Sequence, residues 1–232
     1  MSTIAENIAN VRERILCAAH AAGRDPQGIT LMAVSKTRPA SAIRQAHAAG
    51  VRDIGENYLQ EALEKIAELG DLPLTWHFIG PIQSNKTRAI AEHFDWVHSV
   101  DRLKIARRLS EQRPAELAPL NICLQVNISN EPSKAGVPLA ELEVLAREVA
   151  SLPGLRLRGL MAIPAPASNS EARRQPLRAL RQAMAALPPP LDTLSMGMSD
   201  DLDEAIAEGA SIVRIGSALF GARDYSTSPL EG

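Results

Sequence analysis

The chain has 232 residues, 45% of them apolar and 22% charged, enough for one large domain with a sizeable core. A net charge of −2 gives no basic field for nucleic acid or acidic lipid, and 3% aromatics argue against a stacking platform for single strands. The two cysteines are Cys17, in a helical pattern, and Cys123, in an apolar run; both read as small core residues, and neither a disulfide framework nor a zinc site is expected.

The opening "MSTIAENIANVRERI" lacks the basic start and apolar block of a signal peptide, and no run is long enough to span a bilayer. The expected address is therefore the cytosol. Thr3 and Glu6 have capping-box spacing, and Ile4, Ile8, Val11 and Ile15 recur at helical intervals, which predicts a helix over 3–22 ending before Gly23. Short apolar strands follow at 30–35, 51–55, 75–79, 96–100, 120–127, 155–163, 192–197 and 211–215. Helical patterns separate them at 39–49, 57–69, 85–93, 101–112, 138–152, 170–186 and 200–208.

Regular alternation implies parallel strands covered by helices, and eight such units in this length fit an α/β fold of the (β/α)8 TIM-barrel type better than an open sheet. No G-x-G-x-x-G follows the first strand, so a dinucleotide fold is disfavoured. After the eighth strand "SALFGARDY" is too short for a full outer helix, and the additional N-terminal helix is expected to fill that gap. "LPPPLD" and "PAPASNS" read as connections. One domain over 1–225 and a flexible tail over 226–232 complete the expected organisation.

Barrel chemistry gathers at the C-terminal strand ends, with phosphate held after strands seven and eight. Those strands end in "SMGMSDD" and "VRIGSALFG". Each offers glycine for close approach, a serine, and a helix start; Ser199, Gly216 and Ser217 are the candidate phosphate donors. The alternative for Ser199 is a helix N-cap with Asp200 and Asp201 in the first turn, and those carboxylates would repel phosphate unless they point outward. Gly197 and Gly216 read equally as turn glycines.

The lysines are Lys36, Lys65, Lys86, Lys104 and Lys134. Lys65 and Lys104 fall within helices and read as solvated surface charges. Lys86 opens the helix after strand three, and Lys134 lies in the loop after strand five. Lys36 alone leaves a strand end directly, either as an amine made nucleophilic by an apolar wall or as a chain snorkelling to solvent. Arg214, at the end of strand eight, would lie beside strand one in a closed barrel, and with Lys36 and a phosphate nest would suit a phosphorylated aldehyde. Pairing of Arg214 with an acid such as Glu56 is the plainer reading. Asn57 follows strand two, and His77 lies in strand three, where a hydrogen-bonded core role is equally open. His20, His47, His93 and His98 show no metal-ligand spacing, so no metal is expected.

"AVSKTRP", "IGENYLQE", "WHFIGPIQSNK", "VHSVDR", "NISNEPSKAGV", "LRGLMAIP" and "LSMGMSDDLDEAIAEGASIVRIGSALFGAR" together resemble the YggS/PROSC family of pyridoxal phosphate homeostasis proteins, over essentially the whole chain. The resemblance implies a single barrel like the alanine racemase N-terminal domain, holding pyridoxal 5′-phosphate (PLP) as a Schiff base on Lys36. It further implies Arg214 at the pyridine nitrogen, Ser199, Gly216 and Ser217 at the phosphate, and Asn57, His77 and Met198 around the ring.

An arginine does not readily protonate that nitrogen, so the ring would be a weak electron sink. Racemases of this fold also draw a tyrosine from a further β domain, which is not expected here; the chain's tyrosines are Tyr58 and Tyr225. The expected function is therefore a non-catalytic, cytosolic, monomeric protein of vitamin B6 homeostasis. It would store, buffer or deliver PLP, with transient PLP-dependent apo-enzyme partners. A PLP-dependent racemase-like enzyme and a Schiff-base aldolase acting without PLP are the alternatives.

Overall fold

The computed structural model describes residues 2–129, 131, 134–188 and 190–221. The boundary expected at residue 225, Tyr225 and the tail over 226–232 lie outside the described residues. Eight parallel strands close into one barrel in chain order: β1 (Thr30–Val34), β2 (Asp53–Glu56), β3 (Thr75–Phe78), β4 (Trp96–Val100), β5 (Leu120–Gln125), β6 (Leu155–Met161), β7 (Thr193–Ser195) and β8 (Ile212–Ile215). Helix α1 (Ile4–Ala21) precedes them. α2 (Ala40–Ala48), α3 (Leu59–Glu68), α4 (Thr87–His93), α5 (Leu103–Gln112), α6 (Leu139–Ala150), α7 (Ser170–Ala185), α8 (Leu202–Ala207) and the short α9 (Ser217–Phe220) follow the successive strands. The TIM-barrel expectation holds.

β4 and β8 are buried along nearly their whole length, since helices cover one face and the barrel interior the other. α1 starts at the expected capping box: Glu6 N–H donates to Thr3 Oγ1 (3.2 Å), and Thr3 N–H to Glu6 Oε2 (2.8 Å). Its stripe of Ile8, Val11, Ile15, Ala18 and Ala19 is buried, and the helix packs against α2, α8 and α9, filling the gap beside the short α9. Asn7 Nδ2 donates to the Leu219 carbonyl (2.9 Å), fastening that junction.

Cys17 corrects an expectation. It is exposed, because the buried stripe of α1 leaves position 17 outside it. Cys123 is buried in β5 as expected, and burial pushes its thiol up to about 12, keeping it protonated. Two 3-10 turns, Pro26–Gly28 and Ser84–Lys86, were not anticipated; Lys86 ends the second and stands at the start of α4 as its N-cap, as expected.

Strand register sets the site. Met32 pairs with Arg214 and Ala33 with Ile215, while Val34 pairs with Gly55. The exits of β8, β1 and β2 thus stand side by side. β7 stops at Ser195, short of the expected 197, because the chain leaves the sheet at Gly197, whose φ is 96°. A Cβ there would stand 2.6 Å from the Ala205 Cβ, so α8 packs directly on this glycine.

Candidate functional site

At the C-terminal mouth of the barrel a cavity of about 250 Å³ gathers Lys36, Asn57, Met198, Ser199, Arg214, Gly216 and Ser217, walled by Val34, Ile79 and Ile163. A recess of about 30 Å³ beside it is lined by Val34, Lys36, Arg38, Gly216 and Ser217. A larger groove of about 570 Å³ lies at the opposite end, between α1 and the starts of β1 and β2, and holds none of the candidates. In this fold chemistry sits at the C-terminal face, so the smaller cavity is the candidate site.

Lys36 leaves β1 in a tight turn closed by Arg38 N–H donating to the Ser35 carbonyl (3.0 Å). Thr37, the next residue, is the one described non-glycine with positive φ, 62°. Asn57 is held where the chain after β3 passes against it: a Cβ on Gly80 would fall 2.0 Å from the Asn57 carbonyl oxygen. Asn57 Oδ1 is buried and has no partner in the structure. At Gly216 φ is ordinary, −116°, and the tight approach is to the Val34 carbonyl, 3.3 Å from a built Cβ.

Ser199 is not the N-cap of α8; Asp201 occupies that position, without a side-chain cap bond. Asp201 Oδ1 instead accepts the Met198 N–H (2.7 Å), whereas Asp200 lines the cavity mouth. Arg14 of α1 donates to the Ser199 carbonyl (2.7 Å) and pairs with Asp203 (2.8 Å), tying the additional helix to this loop.

Arg214 is 4% exposed and does not pair with Glu56. It donates to Ser195 Oγ (2.9 Å) and the Ala162 carbonyl (2.9 Å), and burial lowers its guanidinium to about 10, still charged at neutral pH. His77 does not line the cavity; it belongs to a polar chain through the barrel interior. Ser195 Oγ lies 2.8 Å from His98 Nδ1, His98 Nε2 lies 2.9 Å from His77 Nδ1, and His77 Nε2 lies 3.0 Å from Asp53 Oδ1. Contact between β4 and β7, which are not neighbours, shows that the chain crosses the interior.

Because Arg214 can only donate, the Ser195 hydroxyl hydrogen goes to His98, and both imidazoles carry their proton on Nε2. Asp53, His98 and Ser195 were missed by sequence reading; their sole signal was placement on strands at interior-facing registers.

His98 is wholly buried and held well below the ordinary 6.5, first by burial and then by His77 and Arg214. Between its lowered folded value and about 6.5 the unfolded chain binds the extra proton, so stability falls as pH drops through that window, by at most about 1.4 kcal/mol per pH unit. Glu56, raised above 4.5 chiefly by burial, acts with the opposite sign between 4.5 and its folded value. Thermal melts from pH 7.5 to 5 are expected to show the decline, and His98→Gln to flatten it. An equal slope in the variant would assign it elsewhere.

Lys65 is the second correction. Expected as a surface charge, it is 6% exposed, on the stripe of α3 shared with buried Ala62. Its Nζ lies 2.7 Å from Glu56 Oε1 and 2.5 Å from Glu61 Oε1. Lys104 is exposed as expected, and Lys134 pairs with Glu131 (2.9 Å). Among the described residues no cluster could hold a metal ion, and no helix is long and apolar enough to cross a membrane.

The model of the alanine racemase N-terminal domain matches residues 2–224. A pyridoxal phosphate homeostasis protein of Pseudomonas aeruginosa is 69% identical over 225 residues, covering 97% of this chain and 98% of that protein. One of Escherichia coli is 59% identical, covering 97% and 99%. The solved structure of PipY of Synechococcus elongatus with PLP bound superposes with a TM-score of 0.83 at 41% identity, covering 94% of this chain and all of that one. Alanine racemase of Corynebacterium glutamicum, at 18% identity and a TM-score of 0.66, covers 97% of this chain and 62% of the racemase, a likeness of fold.

Proposed function

The chain belongs to the alanine racemase N-terminal domain family, and from that premise we propose that it is a PLP-binding protein of PLP homeostasis. It stores, buffers or delivers the cofactor. The observation that carries this reading is the convergence of Lys36, Asn57, Ser199, Arg214, Gly216 and Ser217 on one cavity from four strand exits. Homologues named for this role and a PLP-bound relative of the same fold support it.

The residues fit the group. Asn57 Oδ1, buried without a partner, awaits a donor. Gly216 and Ser217 open a short helix, whose first amides suit an anion, and Ser199 lines the same cavity from the strand-seven loop. When bound, the cofactor supplies an aldehyde that amines capture reversibly. Lys36 would provide that amine. Arg214 would face the ring nitrogen and keep its own proton.

The protein does not turn over a substrate in this reading. Relatives carry homeostasis names, and the cavity's titratable groups beside Lys36 are Arg214 and Asp200, the latter exposed at the mouth. It acts in the cytosol as a monomer and meets apo-enzymes transiently.

Intact-mass measurement after borohydride treatment of PLP-loaded protein tests the reading: a PLP-sized increment mapped to Lys36 is expected, and no increment overturns it. Amino acids incubated with loaded protein in deuterium oxide are expected to keep their α-hydrogen. Sustained exchange would establish the racemase-like alternative.

A further inference from the structure

We propose that Lys65, acting with Glu56 and Glu61, is a positioning residue that holds Lys36 at the cavity, a role that rests on the PLP-binding reading above. The cluster grips the chain on both sides of Lys36. On the near side, Lys65 Nζ donates to the Ser35 carbonyl (2.8 Å), and Ser35 Oγ donates to Glu56 Oε1. On the far side, Thr37 N–H donates to Glu61 Oε1 (2.7 Å), the same oxygen that accepts from Lys65. Glu61 and Lys65 lie one turn apart on α3, so a rigid helix carries both contacts.

Thr37 explains why a grip is needed. A β-branched residue with φ of 62° is strained, and such backbone persists only where its surroundings over-determine it. With Thr37 relaxed, the turn that ends β1 reopens and Lys36 swings toward solvent. Burying a lysine and a carboxylate, with Glu56 Oε2 left without a partner, is a costly way to brace a loop. Packing alone would use an apolar pair at positions 56 and 65, and it would leave the Ser35 carbonyl and the Glu61 carboxylate that holds the Thr37 amide without Lys65.

The test uses the full chain with Glu61→Ala, Lys65→Met and Thr37→Gly, singly and with Thr37→Gly added to each of the others. Amide hydrogen exchange at Thr37 is read without cofactor, and PLP affinity by titrating near-visible absorbance. Glu61→Ala and Lys65→Met are expected to speed Thr37 exchange and to weaken PLP binding, each about tenfold. Thr37→Gly, which adopts this φ freely, should recover affinity to within about threefold in both backgrounds.

Unchanged exchange in Glu61→Ala, affinity within about twofold of the parent, or no recovery by Thr37→Gly overturns the proposal. If Lys65→Met fails to fold, the Glu61→Ala pair decides, since that side chain is partly exposed. A parent chain that takes no PLP refutes the functional reading instead, and the exchange result still judges the clamp.

Discussion

Lys36→Ala is expected to leave the chain folded and to abolish the borohydride-stable PLP adduct. Lys36 is half-buried and follows the last residue pairs of β1, so its truncation removes no core contact of the barrel. A change of less than about 1 kcal/mol in stability is the ordinary result at such a position. PLP affinity should fall by about a hundredfold or more, roughly 2.7 kcal/mol, because the remaining contacts to phosphate and ring are non-covalent. Absorbance titration and peptide mapping check both halves. An adduct that survives unchanged on another lysine would remove Lys36 from the centre of the site.

Arg214→Met separates binding from stability. Arg214 is almost wholly buried, its charge opposed by desolvation, and its value of about 10 represents a penalty on the order of 3 kcal/mol. Replacement relieves that penalty but strips donors from Ser195 Oγ and the Ala162 carbonyl, at about 1–3 kcal/mol each. At about 1.5 kcal/mol for each lost bond the two effects nearly cancel, so Tm should move by no more than about 4 °C in either direction. PLP binding should weaken about tenfold to a hundredfold, the worth of one hydrogen bond from a charged donor. A variant that binds PLP like the parent would place the guanidinium outside the ring's contacts. A large loss of Tm would mean that the interior chain from Arg214 to Asp53 supports the barrel itself.

The clamp and the interior chain frame the site from two sides. Lys65, Glu56 and Glu61 fasten the segment that carries Lys36, while Ser195, His98 and His77 fix the direction in which Arg214 donates. Neither set lines the cavity, yet each determines where a residue of the cavity points.

Sequence alone determined the eight-fold alternation, the capped first helix and the strand-end placement of Lys36, Asn57, Ser199, Arg214, Gly216 and Ser217, because periodicity and strand-end position are local properties of the chain; Met198 came from the family resemblance. It also contained an unread signal. Lys65 falls three residues after Ala62 on the buried stripe of α3, whereas Cys17 falls off the stripe of α1. In both cases residue type was weighed above helical position.

Tertiary structure alone decided who pairs with whom. Glu56 is claimed by Lys65 from the next helix, leaving Arg214 to Ser195, and His77 turns into the interior toward His98. These partners lie on separate elements, up to 97 residues apart, and barrel closure and strand register set which of them meet. Burial then fixes the chemistry, because the same lysine or arginine is a solvated charge on a surface and a directed donor in a core.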